Sequence, residues 1–416
     1  MNRSRLAWLS LLAGMLAGFA PRRGMPLEPL PDLALQPPAI VTSVGPEYGK
    51  DQRGAQGVPG IERAPGGRLW AAWYTGKAKN GVESPTSYCV LVTSDDDGRT
   101  WSDLNLVIQP RRFTHTYDPC LWLDPTGRLW LFWAQSAGMQ DGRMGVWAIT
   151  TTEPDSEHPA WTPPRRIANG IMLNKPTVLA NGDWLLCVGL WRENTSVPNV
   201  QIDADDLKPY TVEMLKHDLG DERGSNVYRS SDQGKTFQRI GQVRVPGTRV
   251  DEHMIVERRD GSLWMLLRNL HGIAQSTSAD GGRTWSEGSM FMTGRAVASK
   301  RFFVRRLSSG ALLLVRNNSP NDGSRTHMTA FVSDDDGRTW QGGLLLEEGE
   351  SSYPDGTQAP EGSMYVIYDH QRYTLTKDGR SGAGAIALAK FTEADVRAGR
   401  PASDGTRLRI EISRLR

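Results

Sequence analysis

The 416-residue chain lacks an excess of charge of either sign: 49 Lys and Arg stand against 47 Asp and Glu, a net charge of +2. A nucleic-acid binder needs a basic face to neutralise phosphates, so the balance argues against that class of partner. Cysteine is scarce. Cys89, Cys120 and Cys187 are odd in number, show no CxxC spacing and each lie in an apolar run. They read as small buried side chains, not as a metal or redox centre. HExxH, P-loop and GxGxxG spacings are missing as well, so no metal, nucleotide or other cofactor is expected. No apolar run is long enough to span a bilayer comfortably. The longest, Leu6 to Ala20, follows Arg3 and Arg5 and is expected to act as a signal peptide or short N-terminal anchor over residues 1–21. It would direct the chain to a secreted or periplasmic location. Pro21 directly after Ala20 leaves the cleavage site open.

Long Ala/Leu/Glu/Lys stretches are also scarce, whereas Gly (44) and Pro (25) are abundant. That composition suits many short strands joined by tight turns. Two repeats give the strands an order. The octapeptide SDDDGRTW occurs at Ser94–Trp101 and again at Ser333–Trp340, with near-copies SADGGRTW at Ser278–Trp285 and SSDQGKTF at Ser230–Phe237. In this pattern the Asp can cap backbone N–H groups of its own turn and the Gly can adopt a left-handed conformation. The aromatic residue would then pack between neighbouring sheets.

The second repeat is a turn glycine followed by an apolar strand. It recurs at Gly67, Gly127, Gly182, Gly261, Gly310 and Gly362, with intervals of 49 to 79 residues. Each interval has room for about four short strands, the signature of a propeller blade. Six units predict an all-β, six-bladed propeller over residues 40–416, preceded by a Pro-rich, irregular lead-in at 22–39. Blade 2 keeps only a worn form of the octapeptide, ending at Trp161, and blade 6 lacks one. The longest interval contains a polar insertion, residues 192–224, expected to edge the mouth of the propeller.

The octapeptide resembles the Asp-box, or BNR repeat, and the span from Ile40 to Phe391 resembles a six-bladed propeller of the sialidase superfamily. The box also occurs in non-catalytic propellers, so function must be sought at the hub. There the residues just ahead of each turn-Gly hairpin converge. They are Arg53 and Gln56, then His115, Tyr117 and Asp118, then Asn174 and Lys175, then Asp251, Glu252 and His253, then Lys300 and Arg301, and finally Tyr353 and Asp355. Such a ring suits an anionic sugar.

The resemblance implies a retaining exo-glycosidase that releases a terminal acidic sugar: arginines grip the carboxylate, a tyrosine is the nucleophile, a carboxylate takes its proton and a second acid protonates the leaving oxygen. VDEHMIVERRDGSLWMLLRN matches the family's glutamate and an arginine, giving Glu252 and Arg268. NDGSRTHMTAFVSDDDGRTW matches a further arginine, Arg325, and SSYPDG gives Tyr353 as the nucleophile. The sequence departs from the family in one corner. Gly57, in QGVPG, stands where the family places its first arginine, leaving Arg53 nearby and Arg301 as candidate substitutes. The leaving-group acid is Glu83 in place of an aspartate. Asp118 and His253 are candidates for hydrogen bonds to ring substituents. These departures keep other uronic or ulosonic acids open as substrates, and a non-catalytic glycan- or protein-binding propeller is the alternative. A carbohydrate bearing a carboxylate is the expected partner, and a monomer the expected state.

Overall fold

In the computed structural model the described residues are 33–77, 87–111, 114–137, 142–191, 219–297, 299–320, 323–372 and 384–415. Residues 1–21, where a leader is expected, most of the lead-in and residues 192–218 of the insertion lie outside them.

The six turn glycines organise the chain as expected. Each has a φ between 82° and 109°, a range that costs glycine little and other residues much. Each turn joins the first two strands of an antiparallel sheet, and six sheets follow one another along the chain. Their innermost strands are Arg53–Arg63, Thr114–Leu123, Thr177–Val178, Met254–Glu257, Phe303–Arg306 and Ser351–Gln358. Five sheets have four strands. The first has five, because Ala39–Val41 pairs with Leu106–Gln109 at its outer edge. The end of the lead-in is thus ordered on the propeller, and the carbonyls of Ala34 and Gln36 accept from Gln135 of blade 2.

The core is a set of apolar layers between successive blades. Trp122 and Trp130 of blade 2 meet Trp184 of blade 3, with ring centroids 4.8 and 6.0 Å from Trp184 in edge-to-face contact. Leu263, Met265 and Leu267 of blade 4 meet Leu185 and Cys187 of blade 3. Burial pushes the thiols of Cys120 and Cys187 up to about 12, as befits cysteines that serve as packing. All three are free and buried.

The octapeptides lock these layers from outside. In the first, Asp96 accepts from the backbone N–H of Arg99 and Thr100 and from the hydroxyls of Ser94 and Thr100, at 2.6 to 2.9 Å. Ser94 Oγ in turn accepts from Gly98 N–H at 3.0 Å. The same set recurs around Asp232, Asp280 and Asp335. The box glycine lies against the preceding blade. A methyl group on Gly234 would come within 2.8 Å of Trp130 in the preceding blade and 2.5 Å of Trp184 in its own, and one on Gly337 within 2.5 Å of Trp264 in the preceding blade. In blade 2 the loop carrying Trp161 does this work. Trp161 packs edge-on against Trp70, whose indole donates to Pro154 O. In blade 6 the helix Glu393–Ala398, with a Thr392/Asp395 capping box, stands where the octapeptide is missing.

Side chains, not a shared strand, close the ring between blades 6 and 1 among the described residues. Asp97 receives Tyr365, Lys390 at 2.7 Å and Arg407 at 2.9 Å. Gln56 donates to the carbonyls of Gly384 and Ser413 at 2.8 and 3.0 Å. Nearer the axis, Lys175 of blade 3 lies 3.1 Å from Asp355 of blade 6 and 3.3 Å from Glu62 of blade 1. It also donates to the carbonyls of Ile61 and Leu121. Fully buried, this ammonium is desolvated, but Asp355 and Glu62 outweigh that and raise its pKa.

Candidate active site

The position nine residues ahead of each turn glycine forms the ring at the hub: Val58, Asp118, Leu173, Glu252, Arg301 and Tyr353. In blades 1, 2 and 6 the next residue is proline (Pro59, Pro119, Pro354), and the innermost strand carries a bulge there. Proline fits because a bulge interrupts the ladder and needs no N–H donor. Val58, Asp118 and Tyr353 sit at these bulges with φ of 50°, 49° and 52°. Left-handed backbone is uncommon outside glycine and is retained where the surroundings enforce it. The regular pairing on either side holds Tyr353 in it, via Ser352↔Asp369 and Asp355↔Ile367.

Tyr353 is thereby turned toward blade 4. Its hydroxyl donates to Glu252 Oε1 at 3.3 Å, and Arg268 Nη1 approaches the same hydroxyl at 3.4 Å. The other carboxylate oxygen, Glu252 Oε2, pairs with Arg268 Nη1 at 2.7 Å. Glu252 and Arg268 come from adjacent strand ends of one blade, and both are buried. Burial alone would lower the Arg268 pKa, but Glu252 and then Tyr353 hold it above the ordinary value. From blade 5, the Arg325 guanidinium carbon lies 5.3 Å from the centre of the Tyr353 ring. The four residues inferred from the resemblance, Tyr353, Glu252, Arg268 and Arg325, therefore meet at one place.

One neighbour was missed. Arg372, just beyond the strand Met364–His370, has its guanidinium carbon 4.9 Å from the Tyr353 ring centre and 5.5 Å from that of Tyr74, and it donates to the Tyr74 hydroxyl. Its Nη1 is 3.7 Å from Asp369 Oδ2, an ion-pair distance but too long for a hydrogen bond. Burial raises the Asp369 pKa, opposed by Arg372, by the hydrogen bonds from Ser352 and the Val58 N–H, and by Arg325. The only hint in the sequence was YDHQR itself, in which Asp369 is followed three residues later by Arg372.

The remaining expectations fare differently. Arg301 is fully buried and faces the frame, not the mouth. It donates to Asn174 Oδ1 and to the carbonyls of Leu173 and Pro354, so it ties blades 3, 5 and 6 together just behind Tyr353. His253 is likewise turned into the frame. Its Nε2 contacts Asn226 O at 2.8 Å, and burial lowers its pKa to about 4, leaving a neutral ring. Arg53 is buried beside Tyr88, and desolvation lowers its pKa with partial relief from that phenol. The guanidinium that faces Gly57 belongs to Arg372. Asp118 keeps its place in the hub ring, near the stacked pair His115 and Tyr117, whose centroids are 4.5 Å apart. Glu83 lies outside the described residues. A cavity of about 270 Å³ lined by Lys175, Met254, Phe303 and Arg305 lies among the inner strands of blades 3, 4 and 5, and does not include Tyr353 or Glu252. No described helix is long and apolar enough to cross a membrane.

Six blades, four of them carrying an Asp-box, around a hub of this kind define a sialidase-superfamily propeller. Residues 106–366 match the family model described as BNR repeat-like domain. The chain belongs to that family. A curated sialidase of Micromonospora viridifaciens is 24% identical over 336 residues, covering 75% of this chain; the chain spans about half (49%) of that relative's length. Among solved structures, the Hadza microbial sialidase Hz136 superposes with a TM-score of 0.59 at 18% identity, covering 77% of this chain and 65% of its own. A leech intramolecular trans-sialidase, complexed with 2,7-anhydro-Neu5Ac, gives 0.61 at 14% identity, covering 85% of this chain and 70% of its own. At such identities these structures speak for the fold.

Proposed function

We propose that the protein is an exported, retaining glycoside hydrolase of sialidase type that removes a terminal acidic sugar from glycoconjugates. The single observation that carries this reading is the contact of the Tyr353 hydroxyl with Glu252, backed by Arg268. A phenol near pKa 10 is a weak nucleophile until a base accepts its proton. Glu252 stands where that proton leaves. Tyr353 Oη then forms a bond to the anomeric carbon as the glycosidic C–O bond breaks, and the leaving oxygen takes a proton from an acid, a role the resemblance gives to Glu83. Water attacks the tyrosyl intermediate in a second inversion, so the configuration is retained. A neutral nucleophile suits a sugar whose anomeric carbon carries a carboxylate, because a carboxylate nucleophile would be repelled. Arg268 and Arg325 supply the forks that match the substrate's carboxylate. Asp118 remains a candidate for the ring substituents.

A second reading, a glycan- or protein-binding propeller without turnover, draws on Gly57 in the place of the family's first arginine. A panel of 4-methylumbelliferyl glycosides of N-acetylneuraminic acid, of a deaminated ulosonic acid and of glucuronic acid separates the two. The hydrolase reading expects release of the fluorophore from one of them by the wild type and loss of release in Tyr353→Phe. Silence on the whole panel favours the binder. Undiminished activity in Tyr353→Phe removes the nucleophile assignment.

A further inference from the structure

We infer that Arg372 supplies the third guanidinium of the carboxylate clamp and that Gly57 is bare in order to seat it. The inference rests on the hydrolase reading above and adds to it a residue from blade 6 that stands in for one missing from blade 1.

Gly57 is the first part of the case. Its backbone is not in the left-handed region, so no turn geometry calls for glycine there. Space does. A methyl group at position 57 would lie 2.8 Å from Arg372 Nε, 2.9 Å from its Cδ and 3.2 Å from Asp369 Oδ2. Contacts under 3.0 Å cannot be kept, so any side chain at 57 expels the Arg372 stem from where it runs. The absence of a side chain on blade 1 and the presence of the arginine on blade 6 are one arrangement.

The second part is where the guanidinium ends up. Arg372 is buried, and it reaches the same ring as Arg325: the two guanidinium carbons lie 4.9 and 5.3 Å from the centre of Tyr353. Arg268 approaches the hydroxyl of that ring. Three arginines from blades 4, 5 and 6 thus surround one phenol. Glu252 pairs with Arg268, and Asp369 lies near Arg372 and Arg325. Tyr74, which accepts from Arg372, fixes the direction of the fork from blade 1.

The test compares wild type, Arg372→Met, Arg372→Ala, Arg372→Lys, Gly57→Ala and the exchange Gly57→Arg/Arg372→Ala, using whichever glycoside of the panel the wild type cleaves. Folding of each variant is checked by tryptophan fluorescence. Arg372→Met is expected to lower kcat/KM roughly a hundredfold, the scale of a lost buried charge contact. Arg372→Lys should recover only a small part, since an ammonium cannot form the fork. Gly57→Ala should fall nearly as far although it removes no functional group. The exchange should exceed Arg372→Ala by at least about tenfold, because it returns a guanidinium from the other side. Binding by calorimetry gives a readout that a merely structural role would not move. The wild type should prefer the free sugar acid over its methyl ester, and Arg372→Met should reduce that preference by roughly tenfold or more, Arg268 and Arg325 still holding the carboxylate. An active wild type whose Arg372→Met variant keeps the preference undiminished overturns the assignment and leaves the hydrolase reading intact. A wild type that cleaves no glycoside and binds neither sugar removes both. If Arg372→Met does not fold, Gly57→Ala decides: unchanged kcat/KM there overturns the assignment.

Discussion

The Tyr353 hydroxyl lies 3.3 Å from Glu252 Oε1, although 101 residues, the whole of blade 5 among them, separate the two positions in sequence. Glu252 keeps its second oxygen on Arg268 at 2.7 Å, so the carboxylate is anchored while one oxygen stays turned to the phenol. Glu252→Gln keeps the shape and the contact but cannot accept the proton. It is expected to lower kcat by about 10² to 10⁴ without a comparable rise in KM. Because the two groups act as a unit, Glu252→Gln/Tyr353→Phe should be little worse than the worse single variant. Steady-state kinetics on the three proteins checks both statements; additive losses would separate the pair.

Lys175 tests the frame. Its buried ammonium pairs with Asp355 and Glu62 from two other blades. Lys175→Met removes the ammonium that both buried carboxylates contact and should cost about 3–5 kcal/mol. Urea denaturation followed by tryptophan fluorescence gives the number. A loss below about 1 kcal/mol would mean that the cluster relaxes or takes up protons instead.

Gly337→Ala addresses the boxes. The position has a φ of 87°, and a methyl group would come within 2.5 Å of Trp264 in the preceding blade. Strain and overpacking act together, and a loss of about 2–4 kcal/mol is expected. Gly127→Ala, with a φ of 86° and open space around the added carbon, should cost only the backbone part, about 1–2 kcal/mol. Comparing the two melting temperatures isolates the inter-blade contact.

The buried imidazole of His253 makes stability depend on pH. Its folded pKa is about 4, against 6.5 for an exposed imidazole. Between those values the unfolded chain takes up a proton that the folded chain refuses. The contribution is complete above about pH 6.5 and falls away as pH drops toward 4, reaching about 3 kcal/mol. His253→Asn should flatten the slope of unfolding free energy between pH 6.5 and 4.5. The box aspartates act lower: Asp96, with hydrogen bonds overcoming slight desolvation, sits at about 2 against 3.8. Its contribution is present above pH 3.8 and is lost as pH falls through 2.

The fold was legible because its devices are local. A glycine with φ near +90° and an aspartate that caps its own turn are written in eight to ten consecutive residues, and both recur at blade intervals. The hub was legible in part. Counting nine residues back from each turn glycine finds Glu252 and Tyr353, but it finds Arg301 just as well, and the count does not say which way a side chain turns. Arg301 points into the frame because Asn174 and two carbonyls from neighbouring blades await it. Arg372 could not be found in this way. Its place is set by the space above Gly57, 315 positions earlier in the chain, and a missing side chain leaves no mark on local pattern. In blade 6 the substitution of a capped helix for the box was equally hidden, since the helix Glu393–Ala398 is one short segment among strands.

The join between the last blade and the first passes through the chemistry. Tyr353, Asp369 and Arg372 stand on one lip; Gly57, Val58 and Tyr74 stand on the other, and the Val58 N–H reaches across to Asp369 at 3.1 Å. No common sheet spans this gap among the described residues, and the clasp of Asp97 with Lys390 and Arg407 helps to hold the two lips together. On the proposed reading, Asp97→Asn is expected to lower kcat/KM in steady-state kinetics before thermal unfolding shows any loss.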